Sequence, residues 1–354
     1  MKILVVKMSS MGDVVHALPA LADAKQEDPD TEIDWVVEEG FSDIPVLHPL
    51  VDKVIPIAIR RWRKHWLKSF FNGEIGEFIA ALRASNYDLI IDSQGLIKSA
   101  IVAIIARGPV GGFSRNSARE SLAGSTYSQS VDVDLSLHAV ERQRRLFAGL
   151  LGYEVKGITN YGFRIDGVTK FESSTHPSVA ESANSIMLLH GTSWDSKLWP
   201  ETYWRTLCKI LLEAGYKVVI PSGNEIERRR AESIADNTSA LLLDPMGLKE
   251  MMSIMSTCQG VVSVDSGLGH LACALDIPSV ALYGATDPAL TGILGPRQSV
   301  IVSDHLPCIP CKERNCRYGL EDYSGKIYPP CFEQSTPDSV WLALQSQISK
   351  ASPD

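Results

Sequence analysis

Residues 2–13 read Lys2-Ile3-Leu4-Val5-Val6-Lys7-Met8-Ser9-Ser10-Met11-Gly12-Asp13, and from Asp13 to Lys25 the apolar side chains recur at helical spacing. An unbroken apolar run without polar alternation is the pattern of a strand covered on both faces. Gly12 lets the backbone turn, and a helix follows at once. Strand, short polar turn and helix in this order predict one unit of a parallel sheet with helices on its faces. The basic, apolar start is too short for a signal peptide and reads better as this buried first strand.

The plan recurs along the chain. In the first half, strands are expected at 2–8, 32–37, 53–57 and 88–92, with helices at 13–25 and 75–84. In the second half, strands are expected at 185–190, 217–221, 241–244, 260–265 and 279–283, with helices at 199–214, 225–235, 248–256 and 267–275. The alternation predicts an α/β protein of two Rossmann-like domains in tandem, and 354 residues suffice for both. Residues 152–184 carry Gly, Thr, Ser and Pro without a long periodic segment and read as the connection. The expected division is 1–165, a linker at 166–184, a second domain at 185–335, and a last segment, 336–354, with a helix over 338–350.

No apolar run approaches the roughly 20 residues that span a bilayer, so no transmembrane segment is expected and the location reads as cytosolic. A net charge of −8 gives no reason to expect a nucleic-acid partner. One segment departs from this balance: Arg60-Arg61-Trp62-Arg63-Lys64-His65-Trp66-Leu67-Lys68, followed by Phe70 and Phe71. Cations interleaved with aromatics suit an anionic, amphiphilic partner. RNA is the alternative ligand, because Arg and aromatic side chains stack on bases; charge alone does not choose between them.

Open α/β sheets bind ligands at the carboxyl ends of their strands, and polar residues gather there in both halves. Asp13, after the first strand, suits a helix N-cap and equally a general base. Asp92-Ser93-Gln94-Gly95-Leu96-Ile97-Lys98-Ser99 offers hydrogen-bonding groups and a cation, as a capped helix start or an acceptor contact. His190-Gly191-Thr192-Ser193-Trp194-Asp195-Ser196-Lys197 brings hydroxyls, a glycine and an ammonium into one loop, a set that can hold a pyrophosphate. Ser263-Val264-Asp265-Ser266-Gly267-Leu268-Gly269-His270 puts two glycines at a helix N-terminus, which favours anions. Tyr283-Gly284-Ala285-Thr286-Asp287-Pro288 reads as a further ligand-facing loop.

Together and in order, these motifs resemble those of the ADP-heptose:lipopolysaccharide heptosyltransferases, heptosyltransferase I most of all. The carriers are residues 8–16, the cations of 60–64, Ser93-Gln94-Gly95-Leu96-Ile97-Lys98-Ser99-Ala100, His138-Ala139-Val140-Glu141-Arg142, residues 190–197 and residues 264–270. The resemblance covers nearly the whole chain and implies the GT-B architecture, two Rossmann-like domains facing a cleft, with the last helix packing back on the first domain by analogy of fold. It implies an inverting transfer of heptose from ADP-L-glycero-D-manno-heptose to the inner Kdo of Kdo2-lipid A, at the cytoplasmic face of an inner membrane. Asp13 matches the general base. Thr192, Ser193 and Lys197 match diphosphate contacts, Lys197 also serving catalysis. Glu225 matches a ribose contact, and Met246 falls where adenine is held. Asp265, Ser266, Gly267 and His270 match the donor sugar and phosphate lining. Ser10, Gly12, Arg60, Arg61, Arg63, Lys64, Gln94 and Lys98 match the acceptor side. No cofactor is required for catalysis, and no DxD-type Mg²⁺ site is found.

The chain departs from the best-known heptosyltransferase I sequences at Cys308-x2-Cys311-x4-Cys316-x14-Cys331. Similar four-cysteine loops resemble the metal finger of enzymes that heptosylate autotransporter proteins. Four thiolates suit a structural zinc or iron, ahead of reduced thiols and disulfides. Two other functions stand beside the first: a heptosyltransferase with another acceptor, either a later core heptose or a protein Ser/Thr, and a non-catalytic nucleotide- or anionic-lipid-binding protein. Asp13, Lys197 and Asp265 present together speak against the latter, since binding alone needs no base. A sugar-nucleotide epimerase would need an N-terminal Gly-x-Gly-x-x-Gly loop, and residues 8–13 hold one Gly.

Overall fold

A computed structural model describes residues 1–64, 69, 71–163, 184–319 and 327–351. It divides into two compact units, Met1–Phe163 and Arg164–Asp354. The expected linker, 166–184, lies almost wholly outside the described residues.

The first unit is a parallel sheet of β1 (Lys2–Val6), β2 (Glu32–Glu38), β3 (Lys53–Ile57), β4 (Leu89–Asp92), β5 (Val110–Phe113) and β6 (Gln129–Val131), ordered β3-β2-β1-β4-β5-β6. Ile3, Leu4, Val5 and Val6 are fully buried, as the unbroken apolar run requires of a central strand. The order reverses between β1 and β4, so the loops after these two strands flank the crevice where such sheets bind ligands. Asp13 follows β1, and Ser93-Gln94-Gly95 follows β4.

β5 and β6 were not expected. β5 is Val-Gly-Gly-Phe, short of the β-branched signal. Its glycines answer to packing: a Cβ at Gly111 would stand 2.8 Å from the Leu150 side chain, and one at Gly112 would meet the Tyr127 ring. The helices Met11–Glu27 and Ala139–Leu151 are joined by a buried ion pair, in which Arg144 donates from Nε and Nη2 to Asp23 at 2.7 and 3.0 Å. Removing one partner of such a pair strands the other charge. Asp23→Ala is therefore expected to destabilise the protein by about 3 kcal/mol, the lower end for a broken buried pair because Arg144 also donates to Lys156 O. A denaturant melt showing less than a third of that loss would contradict this reading.

The second unit repeats the design with β7 (Ser185–Leu189), β8 (Lys217–Ile220), β9 (Leu241–Leu242), β10 (Gly260–Val264), β11 (Ser279–Tyr283) and β12 (Gln298–Val302), ordered β12-β11-β10-β7-β8-β9. The reversal falls between β10 and β7, again at the two richest polar loops. The last helix, Pro337–Ala351, contributes to the core of this second unit. Val340 and Leu344, one turn apart, are fully buried in the second unit's core with Trp204, Leu207, Val262 and Phe332.

Candidate active site

In the first unit the helix starting at Met11 is capped by Ser10, whose backbone N–H and hydroxyl both donate to Asp13 Oδ2 at 2.8 Å. Asp13 is therefore not the N-cap itself, as its place after the strand had suggested, but the third helical residue closing a capping box with Ser10, and these bonds fix its carboxylate in place. Burial pushes the Asp13 carboxyl towards protonation, but Lys7, His16 and the Ser10 hydrogen bonds outweigh it and hold it below the ordinary carboxylate value. Asp13 is ionised at neutral pH, as a proton acceptor must be. Lys7 is itself buried and donates to Ser93 O at 2.9 Å. Burial lowers its pKa, Asp13 and Asp92 oppose that, and Arg119 and Arg142 add to it.

The loop after β4 hangs on Asp92. Its Oδ1 accepts from the N–H groups of Gln94 and Gly95, and its Oδ2 from Ser99 and Tyr127 at 2.9 and 2.7 Å. Burial raises the Asp92 pKa against all four bonds. Gly95 turns in the left-handed region, φ +66°, where a side chain would crowd Arg119 N at 3.3 Å. Gln94 is buried, and its Oε1 accepts from Met8 N at 2.8 Å. That oxygen therefore braces the Asp13 loop rather than standing open to a ligand. Gly12 is buried at the helix start, while Lys98 is exposed on the helix Ile97–Ile105.

Sequence reasoning missed the role of Arg142 and Arg119. Arg142 donates from Nη2 to Ser117 O at 2.8 Å and lies 5.2 Å over the Phe113 ring. Burial and the neighbouring Arg119 lower its pKa, so the two guanidinium groups repel each other beside Lys7. Such a cluster is relieved by an anion. The only sequence signal was the cation within the 138–142 motif, at a helix start that had not been expected.

The basic segment divides. Arg60, Arg61, Arg63 and Lys64 lie exposed on the short helix Ile59–Lys64. Arg61 is already paired, donating to both Glu39 oxygens at 3.1 Å and to Glu74 Oε2 at 2.5 Å, and these carboxylates raise its pKa. Arg60 lies 4.9 Å over the Phe41 ring. His65, Trp66, Leu67, Lys68 and Phe70 lie outside the described residues.

In the second unit the sites converge on Asp265. Lys197 Nζ stands 2.6 Å from Asp265 Oδ2, Thr286 donates to the same oxygen at 2.5 Å, and His270 Nε2 is 3.7 Å from Oδ1. Thr192 donates to the Asp265 carbonyl at 3.0 Å. Burial would raise the Asp265 pKa, but His270 and Lys197 drive it well below the carboxylate range. Lys197 also lies 4.5 Å over the Trp194 ring. Ser266 caps the helix Gly267–Ala274 by accepting from Gly269 N at 3.3 Å. Lys197 and a helix N-terminus on neighbouring loops are a combination that favours an anion. Ser193 is exposed beside them, and Met246 is half-buried in the turn after β9. His190 is buried, bonded to Pro221 O at 3.1 Å, and lowered by burial to about 4. It is neutral and structural.

The description of glycosyltransferase family 9 (heptosyltransferase) matches residues 75–321. Lipopolysaccharide heptosyltransferase 1 of Pseudomonas aeruginosa is 41% identical over 98% of both chains. The chain belongs to glycosyltransferase family 9. The enzyme of the same name from Escherichia coli K12 is 43% identical over 85% of this chain and 93% of its own. A solved structure of E. coli heptosyltransferase WaaC with ADP is 37% identical, covers 98% of this chain and 100% of its own, and superposes with a TM-score of 0.83. The two parallel sheets are those of the GT-B fold.

In this family 9 chain two acidic residues stand in the first turn of the helix after β8. Glu225 is exposed at the start of the helix Glu225–Ala235 and pairs with Arg229 at 3.2 Å. Glu227 is the acidic residue at the donor loop: its Oε2 accepts from Gly223 N at 2.7 Å, and a Cβ at Gly191 would stand 2.8 Å from its carboxyl carbon. The two lie two residues apart, and the helix start that sets their directions is capped by Asn224, whose Oδ1 accepts from Glu227 N at 3.0 Å.

Proposed function

We propose that this heptosyltransferase moves heptose from ADP-L-glycero-D-manno-heptose to the inner Kdo of Kdo2-lipid A, with inversion. Heptose transfer in lipopolysaccharide core assembly follows from the family and the full-length similarity. The observation that carries the chemistry is Asp13, an oriented carboxylate kept ionised at the reversal of the first sheet. A Kdo hydroxyl is a poor nucleophile until its proton leaves. Asp13 takes that proton as the oxygen bonds to the anomeric carbon, while the bond from that carbon to ADP breaks on the opposite face. Negative charge grows on the diphosphate, where Lys197 and the helix start at Gly267 stabilise it. Thr192, Ser193, Glu227 and Met246 supply the remaining donor contacts.

The acceptor carries carboxylates and phosphates. Arg119 and Arg142, which act on the same Lys7 that supports Asp13, suit the carboxylate of the reacting sugar, and Arg60, Arg63 and Lys64 suit phosphates further out. Arg61 joins them by exchanging Glu39 and Glu74 for the ligand. The proposed place of work is the cytoplasmic face of the inner membrane, on the ground of the acceptor's lipid chemistry. No helix among the described residues is long and apolar enough to cross a membrane.

The acceptor reading predicts a split effect. Arg60→Ala with Arg61→Ala raises the acceptor KM about tenfold or more, the scale of one lost charge-assisted contact per guanidinium, and leaves the ADP-heptose KM unchanged. An unchanged acceptor KM would move the acceptor site elsewhere. Mass analysis of the product, one heptose heavier than Kdo2-lipid A, tests the acceptor itself.

A further inference from the structure

Four cysteines take no part in the chemistry above. Cys308, Cys311, Cys316 and Cys331, brought together from both sides of a loop, line one cavity of about 20 Å³ next to Ser196, Gly284 and Ala285. That volume admits a single water-sized sphere or ion. All four are free thiols, and neither imidazole nor carboxylate lines the cavity. Such a donor set is selective for a thiophilic cation with tetrahedral preference. Among the described residues no three His, Cys, Asp or Glu side chains are grouped so as to hold a metal ion as they stand, so binding would require the four thiols to draw together across the cavity.

The same loop is bonded to the donor site. Ser196 donates from its N–H to Arg314 O at 3.1 Å and from its hydroxyl to Glu313 O at 2.5 Å. Lys312 donates to Ala285 O at 2.7 Å. Ser196 immediately precedes Lys197, and Ala285 immediately precedes Thr286, the two groups that meet on Asp265 Oδ2. Gly284 leaves room for Cys331, whose Sγ would be 2.6 Å from a Cβ there. The cysteine loop therefore grips both arms of the Lys197–Asp265–Thr286 cluster.

We propose that Cys308, Cys311, Cys316 and Cys331 bind one thiophilic divalent metal, zinc or ferrous iron, as a structural clip that holds Lys197 and Thr286 in position for the donor diphosphate. The metal site stands on the cysteines alone; its effect on the donor rests on the reading of Lys197 given above. Elemental analysis of the full chain, purified under reducing conditions without chelator, gives about one metal per chain, the stoichiometry of a four-thiolate site. Replacement by Co²⁺ gives the visible absorption of tetrahedral cobalt thiolate. Cys308→Ser with Cys311→Ser abolishes both. ADP affinity, measured by calorimetry, falls about 10-fold or more on metal removal, the scale of a lost supporting shell. Ser196→Ala weakens ADP binding with metal content intact, which separates the brace from the metal itself.

A folded wild-type chain that holds no metal and takes up no cobalt overturns the site, whatever the variants do. A metal whose removal leaves ADP affinity unchanged overturns the clip. Failure of the metal-replete wild type to bind ADP overturns the donor reading and with it the clip, while the metal count still decides the site.

Discussion

Asp13→Ala lowers kcat by about 10²- to 10⁴-fold, the range for a lost general base, and leaves ADP binding intact. The carboxylate is the only group the account gives to the acceptor proton, and the donor loops do not depend on it. Its electrostatics set the pH dependence. Lys7 and His16 hold the Asp13 pKa below its ordinary value, so the acidic limb of kcat/KM lies below about 4, the usual carboxylate value. Lys7→Met removes the largest of these favourable influences. The limb then moves to higher pH, because a carboxylate with less cationic support protonates sooner. A limb that stays in place in Lys7→Met would show that another group titrates. A kcat within threefold of wild type in Asp13→Ala would remove Asp13 from the reaction.

The second large effect falls on Lys197 and its partner. Lys197→Ala lowers kcat by about 10²- to 10³-fold, the scale for one lost donor to developing negative charge. Asp265→Asn acts differently, because it uncouples Lys197, Thr286 and His270 at once. Asp265 is depressed in the folded state. Its contribution to stability is therefore present above the unfolded carboxylate value of about 3.9 and is lost as pH falls through the folded value. Asp265→Asn accordingly melts earlier than wild type at neutral pH, and the gap narrows as the solution is acidified through that range. A gap that holds constant or widens in acid would mean that the Asp265 charge does not support the fold.

Much of this was legible before any coordinates. The central strands announce themselves, since both faces are buried and their sequences are unbroken apolar runs. Each expected strand is present within a few residues. β5 is hidden because Gly111 and Gly112 yield their side-chain space to Leu150 and Tyr127, and β12 because its residues are only half-buried and lack a continuous apolar run. The helix Ala139–Leu151 carries Arg144 on a buried position and Arg142 on a half-buried one, where charged residues argue against burial until their partners are known.

The donor site was legible as loop chemistry, for hydroxyls, glycines and a lysine at strand ends have few other uses together. Its wiring was not. Nothing in the spacing says that Lys197, Thr286 and His270 all address Asp265, because Lys197 and Thr286 come from different loops than Asp265 and His270. Nor does it say that Glu227, and not Glu225, turns to Gly191, since a one-residue shift of a helix cap moves that face by about 100°. Gln94 looks like a ligand contact in sequence and serves as a brace to Met8 in the structure.

The central claim is acceptor-dependent heptose transfer with Asp13 as base, and ADP release from ADP-heptose measures it most directly. The assay compares wild type and Asp13→Ala with and without delipidated Kdo2-lipid A. The account predicts release from wild type only when the acceptor is present, and none above background from the variant. Donor binding without acceptor-dependent release in wild type would contradict it, and would redirect the search to a later core sugar or a protein hydroxyl.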